Sequence, residues 1–190
     1  MPIVVNLFGS PGSGKSTGAA YIFSKLKMHG VNAELVTEYA KGKTWEHNRE
    51  ALANQAFIFG NQYYSISRCE KQVDVIITDS PLPLGLIYKT DRRLGGSFDK
   101  VVFDVFNSYD NVNYFVLRDK PYNPAGRNQT EQESAEISAR IVLMLQKWGV
   151  KYETIRGNEE QYNTVVNAVL RLISNHDSTK QHVVDKQTKL

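Results

Sequence analysis

Residues 9–16 read Gly-Ser-Pro-Gly-Ser-Gly-Lys-Ser, a complete G-x-x-x-x-G-K-[ST] pattern. Glycines at this spacing let successive backbone N–H groups turn inward, which makes a concave cradle for an anion. A helix that starts near Lys15 aims its positive end and free N–H groups at the same anion. In such a cradle Lys15 reaches the β- and γ-phosphates of a nucleotide, and the Ser16 hydroxyl ligates Mg²⁺. The expected nucleotide contacts are Gly9, Ser10, Pro11, Gly12, Ser13, Gly14, Lys15, Ser16 and Thr17. An incidental glycine turn is the plain alternative. The apolar run Ile3–Phe8 before the loop and the helical pattern after it favour the phosphate site.

Carboxylates come next. The apolar stretch from Val73 ends in Asp79-Ser80, the pattern of a buried strand whose terminal Asp holds Mg²⁺ directly or through water. Asp79 at the head of a Ser-Pro turn could equally cap that turn. Glu38 closes an earlier short strand pattern, at the edge where α/β sheets place their ligands. Either acid is suited to orient or deprotonate an acceptor hydroxyl, and residue type alone does not choose between them. Residues 118–129 hold two prolines, a glycine and three cationic side chains, as expected of an ordered but movable loop. Arg127 is the residue there expected to stabilise charge on a transferring phosphoryl group, with Arg118 and Lys120 as secondary candidates.

Recognition of an acceptor has a weaker signature. Phe57, Phe59, Tyr63 and Tyr64 interleave with Gln55 and Gln62, and Trp45 lies just before them. Aromatic rings stack on bases and amides read base edges, although such a stripe more often packs in a core. Lys41, Lys43, Arg92 and Arg93 are candidates for acceptor phosphates, or simply exposed loop charges. Gly157-Asn158 falls where phosphate-loop kinases pass backbone over adenine, a positional analogy only.

These residues need a scaffold that brings strand ends together. Short apolar runs at Ile3–Phe8, 33–37, 73–79, 112–117 and 151–155 alternate with helical patterns. The helices are expected from the glycine loop to about 29, then over 45–72, 97–108, 130–149 and 159–174. Thr130 and Glu133 have capping-box spacing, and Gly30 and Gly149 are stop signals. The alternation predicts a three-layer α/β fold, with a five-stranded parallel sheet in order 2-3-1-4-5 and helices on both faces. One domain is expected over 1–174, with a lid at about 118–130 and a polar, frayed tail at 175–190.

Bulk composition narrows the class. A chain of 190 residues holds one core, and a net charge of +3 is far from the dense basic stripe of a dedicated DNA-binding domain. Cys69 is the only cysteine, so no internal disulfide is possible. The N-terminal residues carry no basic, cleavable leader pattern, and no stretch is long enough to span a bilayer. The expectation is a cytoplasmic protein. A guanine-reading Asn-Lys-x-Asp is absent, and Ser80 stands where AAA-type motors usually carry Glu. The length, the single domain and the lid favour a kinase over either class.

The sequence resembles a known group through several stretches. These are Leu7-Phe8-Gly9 into the glycine loop, residues 36–41 (Val-Thr-Glu-Tyr-Ala-Lys), residues 76–82 (Ile-Ile-Thr-Asp-Ser-Pro-Leu) and residues 120–130. They are similar to phage-encoded P-loop kinases of the ribosylnicotinamide-kinase-like group, often labelled only as AAA family ATPases. The resemblance runs from about residue 3 to 170. It implies ATP and Mg²⁺ as cofactors and a nucleoside-type acceptor hydroxyl. Relatives in hypermodifying phages are thought to phosphorylate the hydroxymethyl group of 5-hydroxymethyluracil within DNA, whereas others act on free nucleosides, nucleotides or nicotinamide riboside. A P-loop ATPase switch that transfers phosphate only to water is the reading from a different class.

Overall fold

The structure is a computed structural model that describes residues 1–123 and 130–187, with side chains described through residue 175. Five strands form one all-parallel sheet: β1 (Ile3–Phe8), β2 (Ala33–Val36), β3 (Val75–Thr78), β4 (Asp110–Leu117) and β5 (Glu153–Arg156). Their order is β2-β3-β1-β4-β5, as the alternation predicts. β1 lies at the centre because all six of its residues are apolar or internally satisfied. Its one polar residue, Asn6, is buried and donates to Asn111 Oδ1 at 2.8 Å and Asn113 Oδ1 at 3.0 Å on β4.

Side chains alternate across the sheet, so each face has its own core. Ile3, Val5, Leu7, Val75 and Ile77 face one way and pack with Ile22 and Leu26 of helix α1 (Lys15–Met28) and Val165 and Val169 of helix α7 (Glu159–Gln187). On the other face, Phe8 and Phe115 meet Phe103 and Phe106 of α5 (Gly96–Asn107) and Ile141 and Leu145 of α6 (Glu131–Lys147). Val4 and Ile76 on that side pack with Ile66 of α4 (Gln55–Ser67). Helices on both faces leave the C-terminal strand edge as the place for a site.

Helix ends follow the predicted signals at three points. Gly30 adopts φ 78° and ends α1, Gly149 adopts φ 65° and ends α6, and Thr130 and Glu133 form a reciprocal capping box. The expected helix over 45–72 is instead two, α3 (Arg49–Ala53) and α4, preceded by a short α2 (Tyr39–Trp45) that ends where it was expected to begin. His47 takes a positive φ of 53°, and the side chains of Asn48 and Asn54 accept from Ala51 N and Phe57 N, so each asparagine starts a new helix. A 3₁₀ turn over Leu82–Tyr88 follows β3, where the sequence shows only a proline-rich turn signal. β5 also lies slightly later than the expected 151–155. The backbone of α7 continues to Gln187, past the expected end near 174; residues 175–187 hold neither proline nor glycine to stop it.

Candidate active site

The loop between β1 and α1 is shaped by its glycines. Gly9, Gly12 and Gly14 have φ values of 145°, 82° and 105°, the region in which a side chain is strained. Space is as decisive as torsion at Gly9. A Cβ on it would lie 2.6 Å from Ser13 Oγ and 2.8 Å from the Val116 carbonyl. Gly14 caps α1, so the free N–H groups of the helix open toward the loop. Lys15 reaches back to the Ser10 carbonyl at 3.0 Å, which holds its ammonium over the cradle.

Three distant residues brace this loop, and of them the sequence points only to Gly157, by its position. Ser134 of α6 is buried and donates to the Pro11 carbonyl at 2.8 Å. Tyr162 of α7 donates to the Gly14 carbonyl at 2.9 Å, and its ring lies where a Cβ on Gly18 would approach within 2.5 Å. Gly157 is pressed onto the loop: a Cβ there would sit 2.3 Å from the Ser13 carbonyl. Its N–H donates to the Leu117 carbonyl at 2.8 Å, so its visible role is to pack β4 and the phosphate loop together.

A single cleft of about 580 Å³ runs from this loop to the space under α2, α3 and α4, within the size range of small-molecule sites. Lys15, Ser16, Thr17, Glu38 and Asp79 all line it, so the structure brings the loop and both acids together. Asp79 is only 3% exposed, just past the end of β3, and its Oδ1 has no hydrogen-bond partner among the described residues. Ser13 Oγ is unpaired in the same way. Buried oxygens are normally satisfied, so an unpaired carboxylate oxygen on a residue that lines the cleft with Ser16 fits a cation. No group of three His, Cys, Asp or Glu among the described residues forms a complete metal cage. That suits Mg²⁺, which keeps waters and shares phosphate oxygens instead of filling an all-protein site.

Glu38 stands at the junction of β2 and α2, partly buried on the cleft wall. Burial pushes its carboxyl above the usual range, the nearby Lys15 charge opposes this, and the Asp79 charge adds to the rise. Tyr88, from the 3₁₀ turn, lines the same cleft; burial, then the charge of Glu38, pushes its phenol up to about 12. It therefore stays a neutral donor at ordinary pH. Nothing in the sequence had singled it out.

The other expected residues divide. Trp45, Phe59 and Lys41 line the cleft, and Trp45 is 63% exposed at its edge. Phe57, Tyr63 and Tyr64 do not line it. Phe57 packs edge-on against Tyr39 instead. Gln62 is committed to the backbone: it accepts from Tyr39 N at 2.9 Å and donates to the Thr37 carbonyl at 3.3 Å. Lys43 pairs with Glu46 at 2.8 Å, and Arg93 pairs with Asp91 at 2.8 Å, both outside the cleft. Arg92 does not line it either. Arg118 pairs with Glu131 at 2.7 Å and lies over the Tyr122 ring, and Lys120 is exposed; neither reaches the cleft. Arg127, with the part of the expected lid at 124–129, lies outside the described residues. Leu82, Leu84 and Gly85 of the 3₁₀ turn and Ile58 of α4 also line the cleft, none of them anticipated. No described helix is long and apolar enough to cross a membrane.

Comparison with known proteins agrees with this layout. The solved structure of thymidylate kinase from Ehrlichia chaffeensis superposes with a TM-score of 0.59, over 91% of this chain and 100% of that one, at 16% identity. At that identity the likeness is one of fold: a five-stranded parallel sheet in kinase order with helices around it. A search of curated proteins finds no match. The family comparison is direct, because residues 4–161 match the AAA domain from the middle strand through the first turn of α7, with the phosphate loop inside the match. The chain belongs to the AAA domain family.

Proposed function

We propose that this protein is a kinase that transfers the γ-phosphoryl group of ATP to a hydroxyl of a nucleoside-type acceptor. The observation that carries the reading is the continuity of the cleft. A phosphate cradle, two carboxylates and an apolar chamber with aromatic edges open into one space. A nucleotide-dependent switch has no need of that chamber. The kinase layout of the fold supports the same reading.

In this reading the loop amides and Lys15 hold the phosphates, and the acceptor lies between α4 and the 3₁₀ turn. Glu38 takes the proton from the attacking hydroxyl, since its burial favours the protonated form that results. Asp79 and Ser16 would hold Mg²⁺, which would draw charge from the phosphate oxygens. Tyr88, held neutral, donates toward Glu38 or the acceptor hydroxyl. Catalysis is then mostly positioning and electrostatics.

Among acceptors, the resemblance noted above favours the 5-hydroxymethyl group of hydroxymethyluracil within phage DNA, a hypermodification step. A base in a duplex would have to be flipped out to reach the chamber. The exposed Trp45 at the cleft edge offers a stacking face for the neighbouring nucleotide. Free nucleosides, nucleotides and nicotinamide riboside are the competing acceptors. The test is transfer of label from γ-labelled ATP to a panel of these compounds, to unmodified DNA and to DNA containing 5-hydroxymethyluracil. Label on the modified DNA alone is the expected result. Label on a free compound would redirect the protein to salvage, and label released only as inorganic phosphate would overturn the kinase reading.

A further inference from the structure

Besides Asp79, the cleft contains a second buried side chain with an oxygen that has no hydrogen-bond partner among the described residues. Gln55, the first residue of α4, is 4% exposed and lines the cleft with Ile58, Leu82, Leu84 and Gly85. Its Nε2 donates to the Leu52 carbonyl at 2.7 Å. A carbonyl only accepts, so this bond fixes which end of the amide is nitrogen and turns Oε1 the other way. Oε1 has no donor partner among the described residues. It lies beside Gly85, where even a Cβ would come within 3.1 Å of it. A side chain at 85 would crowd this oxygen.

We infer that Gln55 Oε1 is the acceptor-reading group of the site, and that it takes a hydrogen bond from an N–H on the planar ring or carboxamide of the phosphate-accepting substrate. The inference rests on the kinase reading and narrows its substrate class. Among the residues that line the cleft with Gln55, Ile58, Leu82 and Leu84 carry apolar side chains suited to a flat, apolar face. Gln62, the other buried amide of the cleft, has both ends occupied and cannot do the reading. An amide oxygen selects a donor. Uracil-type rings, with N–H at the 3-position, satisfy it; cytosine-type rings, with a lone pair there, leave two acceptors facing each other. The carboxamide of nicotinamide riboside offers the same N–H chemistry from another source.

The test is a binding measurement, so that it does not depend on turnover. The full chain is loaded with a non-hydrolysable ATP analogue and Mg²⁺. It is titrated with 5-hydroxymethyl-2′-deoxyuridine, with a single-stranded oligonucleotide carrying that base, and with nicotinamide riboside. Counterparts of each, methylated so that the N–H is lost, are titrated alongside. At least one parent compound should bind about 10- to 100-fold more tightly than its methylated counterpart, the range of one good base-edge contact. Which parent does so identifies the source. Gln55→Met, close in shape but without the oxygen, should bring that ratio near one while leaving affinity for the ATP analogue unchanged. Equal binding of parent and methylated forms by the native protein would overturn the inference without any variant. So would a ratio that survives in folded Gln55→Met, or failure of every parent to bind. Discrimination in binding with no phosphate transfer would uphold Gln55 and sink the kinase reading instead.

Discussion

Lys15 and Glu38 sit a few side chains apart in one cleft and make opposite demands on the protein. Lys15 places a positive charge where phosphates arrive, and its ammonium reaches back to the Ser10 carbonyl of its own loop, while its side chain belongs to neither hydrophobic core. Lys15→Ala should therefore leave the circular dichroism spectrum and melting behaviour nearly native. Transfer should fall by at least about 10²-fold, the usual cost of removing a charge-stabilising donor. A variant with full activity would remove the phosphate-loop assignment. Glu38 is the reverse case. Its folded carboxyl is raised by burial, so its contribution to stability is complete below the unfolded value and is lost as pH rises through the folded one. Above the unfolded value, the raised carboxyl therefore costs stability. Glu38→Gln should raise the melting temperature at pH 7 and lower turnover by about 10²- to 10⁴-fold. In the native enzyme the same shift should place the acid limb of the pH–rate profile above the ordinary glutamate range. A limb at ordinary glutamate values, or a variant that melts lower, would argue against a desolvated base at this position.

At the scale of elements, the site depends on the close meeting of the β5–α7 connection and the phosphate loop. The Ser13 carbonyl is backbone and cannot swing aside from a Cβ at 157 that would lie 2.3 Å away. Gly157→Ala should cost about 1–3 kcal/mol of overpacking, read as weaker nucleotide binding and a lower melting temperature. Gly42→Ala is the matched control: it lies inside α2, with open space around its Cβ position. It should be neutral or stabilising by up to about 1 kcal/mol. Similar nucleotide affinities in the two variants would mean that the 157 contact does not shape the loop.

The same element scale separates what the sequence reveals from what it conceals. The phosphate loop is legible because its glycines, Lys15 and Ser16 are contiguous and each does its work locally. The capping box at Thr130 and the stop at Gly149 are local too. The division of 45–72 into parts was hidden because Asn48 and Asn54 sit inside an otherwise helical apolar pattern, and an asparagine shows itself as a cap only once the chain has turned. The 3₁₀ turn over Leu82–Tyr88 carries too little periodicity to be seen, and with it went Tyr88 and Gly85. Ser134 and Tyr162 reach the loop across more than a hundred residues, a distance over which a single sequence has no signal.

At the scale of the whole molecule, strand order decides where chemistry can occur. β1 and β3 are neighbours at the middle of the sheet, so the phosphate loop after one and Asp79 after the other open on the same edge. β2 flanks β3 and brings Glu38 to that edge, while α2, α3 and α4 supply one wall of the cleft there. Under the proposed reading, donor and acceptor share this enclosure, and phosphate loss from ATP is tied to the presence of something that receives it. That coupling is the central claim.

Its most direct test is ADP formation by the purified chain with Mg²⁺ and ATP, measured with and without each hydroxyl acceptor. The account predicts slow ADP release by the protein alone. It predicts a rise of at least about 10²-fold with the true acceptor, as expected when a bound hydroxyl completes the site. ADP formation that proceeds at one slow rate whatever acceptor is added would contradict it, and the protein would then be a nucleotide switch built on a kinase fold.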